Sequence, residues 1–249
     1  MQNIKYFLMG ANCIIRGIKL FYSEKNLWKY SLYPLPFLAI TYIFVSIIFF
    51  YIGNNLIAYL TNLELSIFFE ILTTIMSIII YIGLFIVLKF IILSGFVTIY
   101  EIFGGLFFDN MLSEVEIKYL KIINSTTKIN NVKQYWVIST IFNFNTFLIM
   151  IALSFFNLAI PIFGVLISIG ILGYRFAISY SMGIAFKHNI NLQTLKQILS
   201  NNIAYTLGAG VTIYFLFMIP LAIIFFIPGI IIGGVLFFHS IPNRNPTEL

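Results

Sequence analysis

Charged residues are scarce in this sequence. Only 9% of its 249 residues are Asp, Glu, Lys or Arg, whereas 61% are hydrophobic, and the mean hydropathy is +1.02. A soluble domain carries about 25% charged residues, because water must wet its surface. With so little charge, the medium that wets most of this chain is lipid. We therefore predict an integral membrane protein.

Cysteine and histidine are also rare, which limits the chemistry available. The single Cys13 excludes an intramolecular disulfide and a cysteine-based metal site. His188 and His239 are far apart in the sequence and not at helical ligand spacing, so we interpret each as a separate interfacial or loop residue. No HExxH, GxSxG, P-loop or GxGxxG pattern occurs. The sequence thus predicts no catalytic residue, no metal and no cofactor, and therefore no enzyme.

The net charge is +6, but the basic residues form no dense run in the sequence, which excludes a nucleic-acid partner. Basic residues are instead gathered in particular loops: five in 1–30, none in 54–64 and four in 109–134. The sequence predicts two hairpins, described below. If each returns to the side of the membrane it left, the later basic residues lie on the same side as these loops: Lys187, Lys196 and Arg244. By the positive-inside rule that side is the cytoplasm, which predicts a cytoplasmic N-terminus and a cytoplasmic polar segment at 109–134.

The N-terminal half predicts one interfacial helix and two long helices. Apolar residues recur at helical spacing through 3–22, which indicates an amphipathic helix lying on the membrane, within an interfacial segment 1–30 that ends in a basic turn. Leu32–Gly53 has no charged residue and suits a hydrocarbon core of about 30 Å. A second span is predicted at 65–88, with 90–108 continuing past the membrane or along its surface, so that 32–108 forms two long helices.

The C-terminal half, 135–239, predicts two helical hairpins followed by a tail at 240–249. The apolar blocks 137–181 and 203–238 each contain Pro and Gly near the middle. These apex residues are Pro161, Gly164, Pro220, Pro228 and Gly229. The leg 204–219 spans about 24 Å as a helix, so we predict that this hairpin dips into the bilayer without crossing it. Re-entrant backbone must be covered by protein or water, which favours a homo-oligomer. The fold class is an all-α membrane protein, a single domain over 1–249.

Arg175 is the charge most in need of explanation, because it lies inside the apolar stretch 162–181. A cation within a span usually faces a polar cavity, a pathway or a carboxylate. One interpretation places Arg175 on an anion pathway. The other places it near the interface, where its side chain reaches the lipid headgroups.

Three stretches, in order, resemble one family. Gly17-Ile18-Lys19-Leu20 with 26–35 is similar to its N-terminal pattern, and 107–116 resembles its "P-F-N/D-x-L-x-E-x-V-E" segment. Ile219-Pro220-Leu221, with the Pro and Gly residues that follow, is similar to its "I-P-L…P" apex. The chain thus resembles the CysZ-type sulfate permeases and the etoposide-induced membrane proteins over about 7–238. The resemblance implies two long transmembrane helices, partly penetrating hairpins, an oligomer and sulfate uptake for cysteine synthesis.

The family's sulfate-binding turn, Gly-x-Arg-Arg, corresponds to Asn26-Leu27-Trp28-Lys29. Only Lys29 matches as a cation, and a lysine does not replace an arginine fork. Ser23 is placed to cap the helix that starts here, leaving the N–H groups of Asn26 and Leu27 free for an anion. The alternative is that Trp28 and Lys29 are interfacial anchors.

Two functions remain open. The first is a passive permease for sulfate or a related small oxyanion in a bacterial inner membrane, with lipid as its surroundings and no visible ATP-binding or ion-coupling motif. The second is a non-transporting membrane scaffold or lipid-associated protein with the same fold. The missing arginine pair favours the second.

Overall fold

The computed structural model describes residues 2–32, 35–61, 110–122, 132–219 and 222–242. The predicted second span at 65–88, its continuation to 108, the apex residue Pro220 and most of the tail lie outside these described residues. Within them, every regular element is an α-helix. This confirms the predicted all-α fold class.

The chain divides into two compact units, one of which contains α3 while the other contains the remaining helices. The helices are α1 (Gln2–Ser23), α2 (Lys25–Leu32), α3 (Leu35–Thr61), α4 (110–119), α5 (Val132–Ala159), α6 (Pro161–Lys187), α7 (Leu192–Asn201), α8 (Ile203–Phe217) and α9 (Ala222–His239). In the smaller unit, α3 has 27 residues and no charge. At 1.5 Å per residue it is about 40 Å long, enough to cross a bilayer.

Helices α5 and α6 form the first predicted hairpin. The chain breaks at Ile160, and Pro161 occupies the first turn of α6, where its missing N–H costs little. Both legs contain stretches long and apolar enough to cross a membrane, Lys133–Asn157 and Ile162–Lys187. Only 22% and 33% of their most apolar windows are buried. Most of their apolar side chains therefore face outward, unlike those of a core helix in a soluble protein.

Helices α8 and α9 form the second hairpin and are shorter. They have 15 and 18 residues, or about 22 and 27 Å at helical rise. Both lengths are below the hydrocarbon thickness of about 30 Å. Pro228 lies inside α9, so the helix continues through this predicted apex residue. Partial penetration of the bilayer stays a prediction.

Helix α1 packs against α8 and α9 through glycines. A Cβ added to Gly208 would overlap the carbonyl oxygen of Phe7, and one added to Gly17 would overlap the backbone of Gly233. Such close backbone approach is how small residues join membrane helices. The buried face of α1 is made of Gly10, Cys13, Ile14, Gly17 and Phe21. This face is occupied by protein, while a location of α1 on the membrane surface stays a prediction.

Candidate functional site

Four ionisable side chains form a buried cluster where α4 meets the ends of α6 and α9. The Glu116 and Lys187 side chains are 0% and 1% exposed, and Lys187 Nζ lies 2.7 Å from Glu116 Oε2. Lys187 also donates to Ser113 Oγ at 2.7 Å. Uncompensated, either charge would be costly in this environment. The ion pair therefore neutralises a carboxylate that has no access to water.

Both histidines approach the second oxygen of the same carboxylate. Nε2 of His188 lies 2.7 Å from Glu116 Oε1, and Nε2 of His239 lies 2.8 Å from it. Because an ionised carboxylate only accepts hydrogen bonds, each ring is assigned the N–H at Nε2. The rings meet edge to face with centroids 5.2 Å apart. We call Glu116, Lys187, His188 and His239 the carboxylate cluster.

Helix endings place the two histidines. His188 follows the last residue of α6, and its N–H donates to the carbonyls of Ile184 and Ala185. Asn189 then adopts a positive φ of 59°, which turns the chain away, and Asn191 caps α7 by accepting from the Thr194 N–H at 2.8 Å. His239 is the last residue of α9. Two helix C-termini, each with a partial negative charge, thus converge on the cluster.

The geometry supports two kinds of chemistry. Glu116, His188 and His239 each offer one ligand atom to a metal ion, and these three atoms lie within 4.8 Å of one another. Without a metal, the same atoms form a satisfied hydrogen-bond network with Lys187 that ties three segments together.

Sequence reasoning treated His188 and His239 as separate residues, whereas the structure brings them to one oxygen. A usable signal was present. The predicted topology returned both hairpins to the side of the polar segment 109–134, which places Glu116, Lys187 and the two histidines on one side of the membrane. Only the distances within the cluster were beyond the sequence.

The predicted sulfate turn lies in α2, and its backbone differs from the expectation. The Leu27 N–H donates to the carbonyl of Glu24 at 3.0 Å, and Leu27 is 0% exposed. Ser23 does not cap α2; its hydroxyl donates to the carbonyl of Leu20 at 3.0 Å. The expectation that Ser23 leaves the Leu27 N–H free for an anion is therefore wrong. Trp28, 42% exposed, donates from Nε1 to a carbonyl of α1 at 2.9 Å.

The one cation of that turn lies near a carboxylate. Lys29 Nζ lies 4.0 Å from Glu114 Oε2, and its side chain is 55% exposed. Tyr30 donates to the same Glu114 oxygen at 3.1 Å. Burial, and then the Glu24 and Glu114 carboxylates, raise the pKa of Tyr119 to about 12. The negative charge that disfavours the tyrosinate also disfavours sulfate beside α2.

Arg175 lies in α6 and faces α5. Its Nε donates to Thr146 Oγ1 at 2.9 Å, and Nη2 donates to the Phe142 carbonyl and to Asn145 Oδ1, both at 3.2 Å. Its guanidinium carbon lies 4.5 Å from the centroid of the Phe142 ring. Within the described residues, Arg175 forms no ion pair with a carboxylate. Among the described residues, the groups that hydrogen-bond to this guanidinium are all neutral.

Further polar side chains continue along the α5–α6 interface. Ser179 donates to Asn143 Oδ1 at 2.8 Å, and Asn143 in turn lies within 3.4 Å of Ser139. Asn143 and Thr146 are 8% and 7% exposed. Polar groups buried between two helices long enough to span a membrane are the pattern expected of a pathway lining or of interhelical hydrogen bonding.

Comparison with known protein families gives a match over most of the chain. A family described as sulfate transporter CysZ/etoposide-induced protein 2.4 matches residues 13–228. These residues include α1 from Cys13 onward and extend into α9, so the match covers most of the chain. No curated protein matches the chain.

Proposed function

Because the chain belongs to the sulfate transporter CysZ/etoposide-induced protein 2.4 family, we propose that it is a passive permease for sulfate or a related small oxyanion. The family makes it a membrane protein of a transporter family. The substrate, the passive mechanism and the transport activity itself are the proposal.

The observation that supports anion permeation is the environment of Arg175. A guanidinium inside an apolar helix is costly unless it has a compensating partner. Here, hydroxyl, amide and carbonyl oxygens position it through Nε and Nη2, while its positive charge meets no carboxylate in the described part of the chain. Such a cation attracts an anion into the span, and a guanidinium matches the geometry of an oxyanion.

The turn at Asn26–Lys29 is a weaker candidate for the anion. Its cation faces Glu114 across 4.0 Å, and one of its two expected backbone donors is already bonded. Neighbouring carboxylates raise the cost of bringing sulfate there. We therefore assign the main anion contact to Arg175 and a lesser electrostatic role to Lys29.

The proposal includes the bacterial inner membrane, a cytoplasmic N-terminus and a homo-oligomer surrounded by lipid. The excess of Lys and Arg on one side supports the orientation. The short helices of the second hairpin support the oligomer, because backbone that ends inside a bilayer must be covered.

Radiolabelled sulfate uptake into liposomes that hold the purified protein tests the proposal. We expect uptake above that of empty vesicles, and reduced uptake for Arg175→Gln. The matched control is Arg16→Gln, which removes an exposed cation of α1. Lys29→Ala is expected to have a smaller effect than Arg175→Gln. Uptake equal to that of empty vesicles would refute the permease.

The second candidate is a non-transporting scaffold or lipid-associated protein with this fold. Two observations favour it: Trp28 stands where the family has its first arginine, and Lys29 is paired with a carboxylate. Intact assembly of the protein in membranes, together with sulfate uptake no greater than in empty vesicles, would select this function.

A further inference from the structure

We propose that Glu116, His188 and His239 form a binding site for a divalent transition-metal ion of the Zn²⁺ class. The sequence separates these residues by 72 positions and 51 positions, yet their ligand atoms converge within 4.8 Å. Two imidazoles and one carboxylate are a common set of protein ligands for such an ion. The proposal is independent of whether the protein transports sulfate.

Binding requires the ligand atoms to shift in both directions, because they now lie from 2.7 Å to as much as 4.8 Å apart. In a tetrahedral site with metal–ligand bonds of about 2.0–2.1 Å, ligand atoms lie about 3.3 Å apart. The two histidine nitrogens now lie 2.7 and 2.8 Å from Glu116 Oε1, so these pairs need to separate by about half an ångström. Each neutral ring would carry its proton on Nδ1 instead of Nε2. This tautomer gives up the two Nε2–H hydrogen bonds to Glu116 Oε1, and the metal–ligand bonds would replace them.

The charges around the site also favour a cation. Glu116 contributes one negative charge, and the C-termini of α6 and α9 contribute about half a unit each. Lys187 supplies one positive charge, and its ammonium group lies against Glu116 Oε2. The histidines contact the other carboxylate oxygen, Oε1. Oε1 therefore remains directed toward the two imidazoles. The helix ends therefore compensate part of the positive charge of an ion bound at their meeting point.

The site can be reached and leaves a coordination position open. The side chains of His188 and His239 are 12% and 8% exposed, while Glu116 is fully buried. An ion can therefore approach from the histidine side. Three protein ligands leave a fourth position for water or for a small anion.

Metal binding to purified protein in detergent tests the proposal. The affinity tag must contain no histidine, because the chain has only two. We expect one Zn²⁺ per chain by elemental analysis after stripping and reloading, and visible absorption of a four-coordinate ion when Co²⁺ is used. His188→Gln and His239→Gln should each weaken binding by more than about 100-fold. Glutamine keeps an N–H donor for Glu116, so these variants retain a hydrogen bond.

Glu114→Gln is the matched control, since it removes a carboxylate from the same helix outside the site. It should bind the metal as the unsubstituted protein does. X-ray absorption of the Zn²⁺-loaded protein provides a measurement that needs no variant, and scattering from two imidazoles is expected. Three results would each overturn the proposal: no metal binding, binding by both histidine variants as tight as that of the unsubstituted protein, or a spectrum without imidazole scattering.

Discussion

Lys187→Met tests how strongly the buried ion pair stabilises this fold. Methionine has a similar length and fills the same space, but it removes the ammonium group that lies 2.7 Å from Glu116 Oε2. The carboxylate would then stay buried without this cation, while the two histidines still donate to its other oxygen. The substitution thus isolates the cost of leaving this negative charge without its cation.

The expected magnitude follows from burial and distance. At an effective dielectric constant of about 20, unit charges 2.7 Å apart attract by about 6 kcal/mol. Desolvation offsets part of this, and removing one partner of a buried pair costs about 3–5 kcal/mol in practice. The exposed pair of Lys29 and Glu114, at 4.0 Å, contributes about 0–1 kcal/mol. Lys29→Met is therefore the matched control.

Unfolding by SDS in mixed micelles, followed by circular dichroism, measures both variants. We expect Lys187→Met to lower the free energy of unfolding by about 3–5 kcal/mol and Lys29→Met by at most about 1 kcal/mol. Glu116→Gln added to Lys187→Met should recover part of the loss, because the charge left without its cation is gone. Equal effects of the two lysine variants, or strictly additive effects of the double variant, would refute the reasoning.

Three other predictions concern packing, capping and topology. Gly210→Ala should lower the melting temperature, because its Cβ would overlap the facing backbone of α6, at a cost of about 1–3 kcal/mol. Gly170→Ala should not lower it, because no facing atom of the described residues lies within 4 Å of the added Cβ. Asn191→Ala should cost about 1 kcal/mol in the same thermal assay, because it removes the cap of α7. Reporters fused after Asn130 and after His239 should report the same side of the membrane; opposite sides would mean that a predicted hairpin is misassigned.

Much of the fold follows from the sequence because lipid imposes strong constraints. The amphipathic spacing at 3–22 predicted α1, and Pro161 predicted the break between α5 and α6. These features depend on local backbone chemistry, which is readable from the residues. The sequence did not predict which helices pack against the glycine face of α1. Gly10 and Gly17 indicate that another backbone can approach α1 closely, but they do not identify the helix that does so.

The candidate sites show where reading the sequence reaches its limit. Arg175 was identified from its cost in an apolar helix, but its neutral partners on α5 required the structure. The expected backbone donor at Leu27 was wrong, because the carbonyl of Glu24 takes this N–H. The sequence analysis looked for histidines at ligand spacing along one helix, so it did not predict that His188 and His239 meet. They converge because the helices that carry them end close together.

Electrical recording from the purified protein in planar bilayers tests the permease proposal most directly. With unequal sulfate concentrations across the bilayer, passive permeation predicts a current that reverses at a voltage of the sign set by sulfate diffusion. The conductance should be lower for Arg175→Gln than for Arg16→Gln. A current no larger than that of a protein-free bilayer, or a reversal voltage set by the cation, would contradict the proposal.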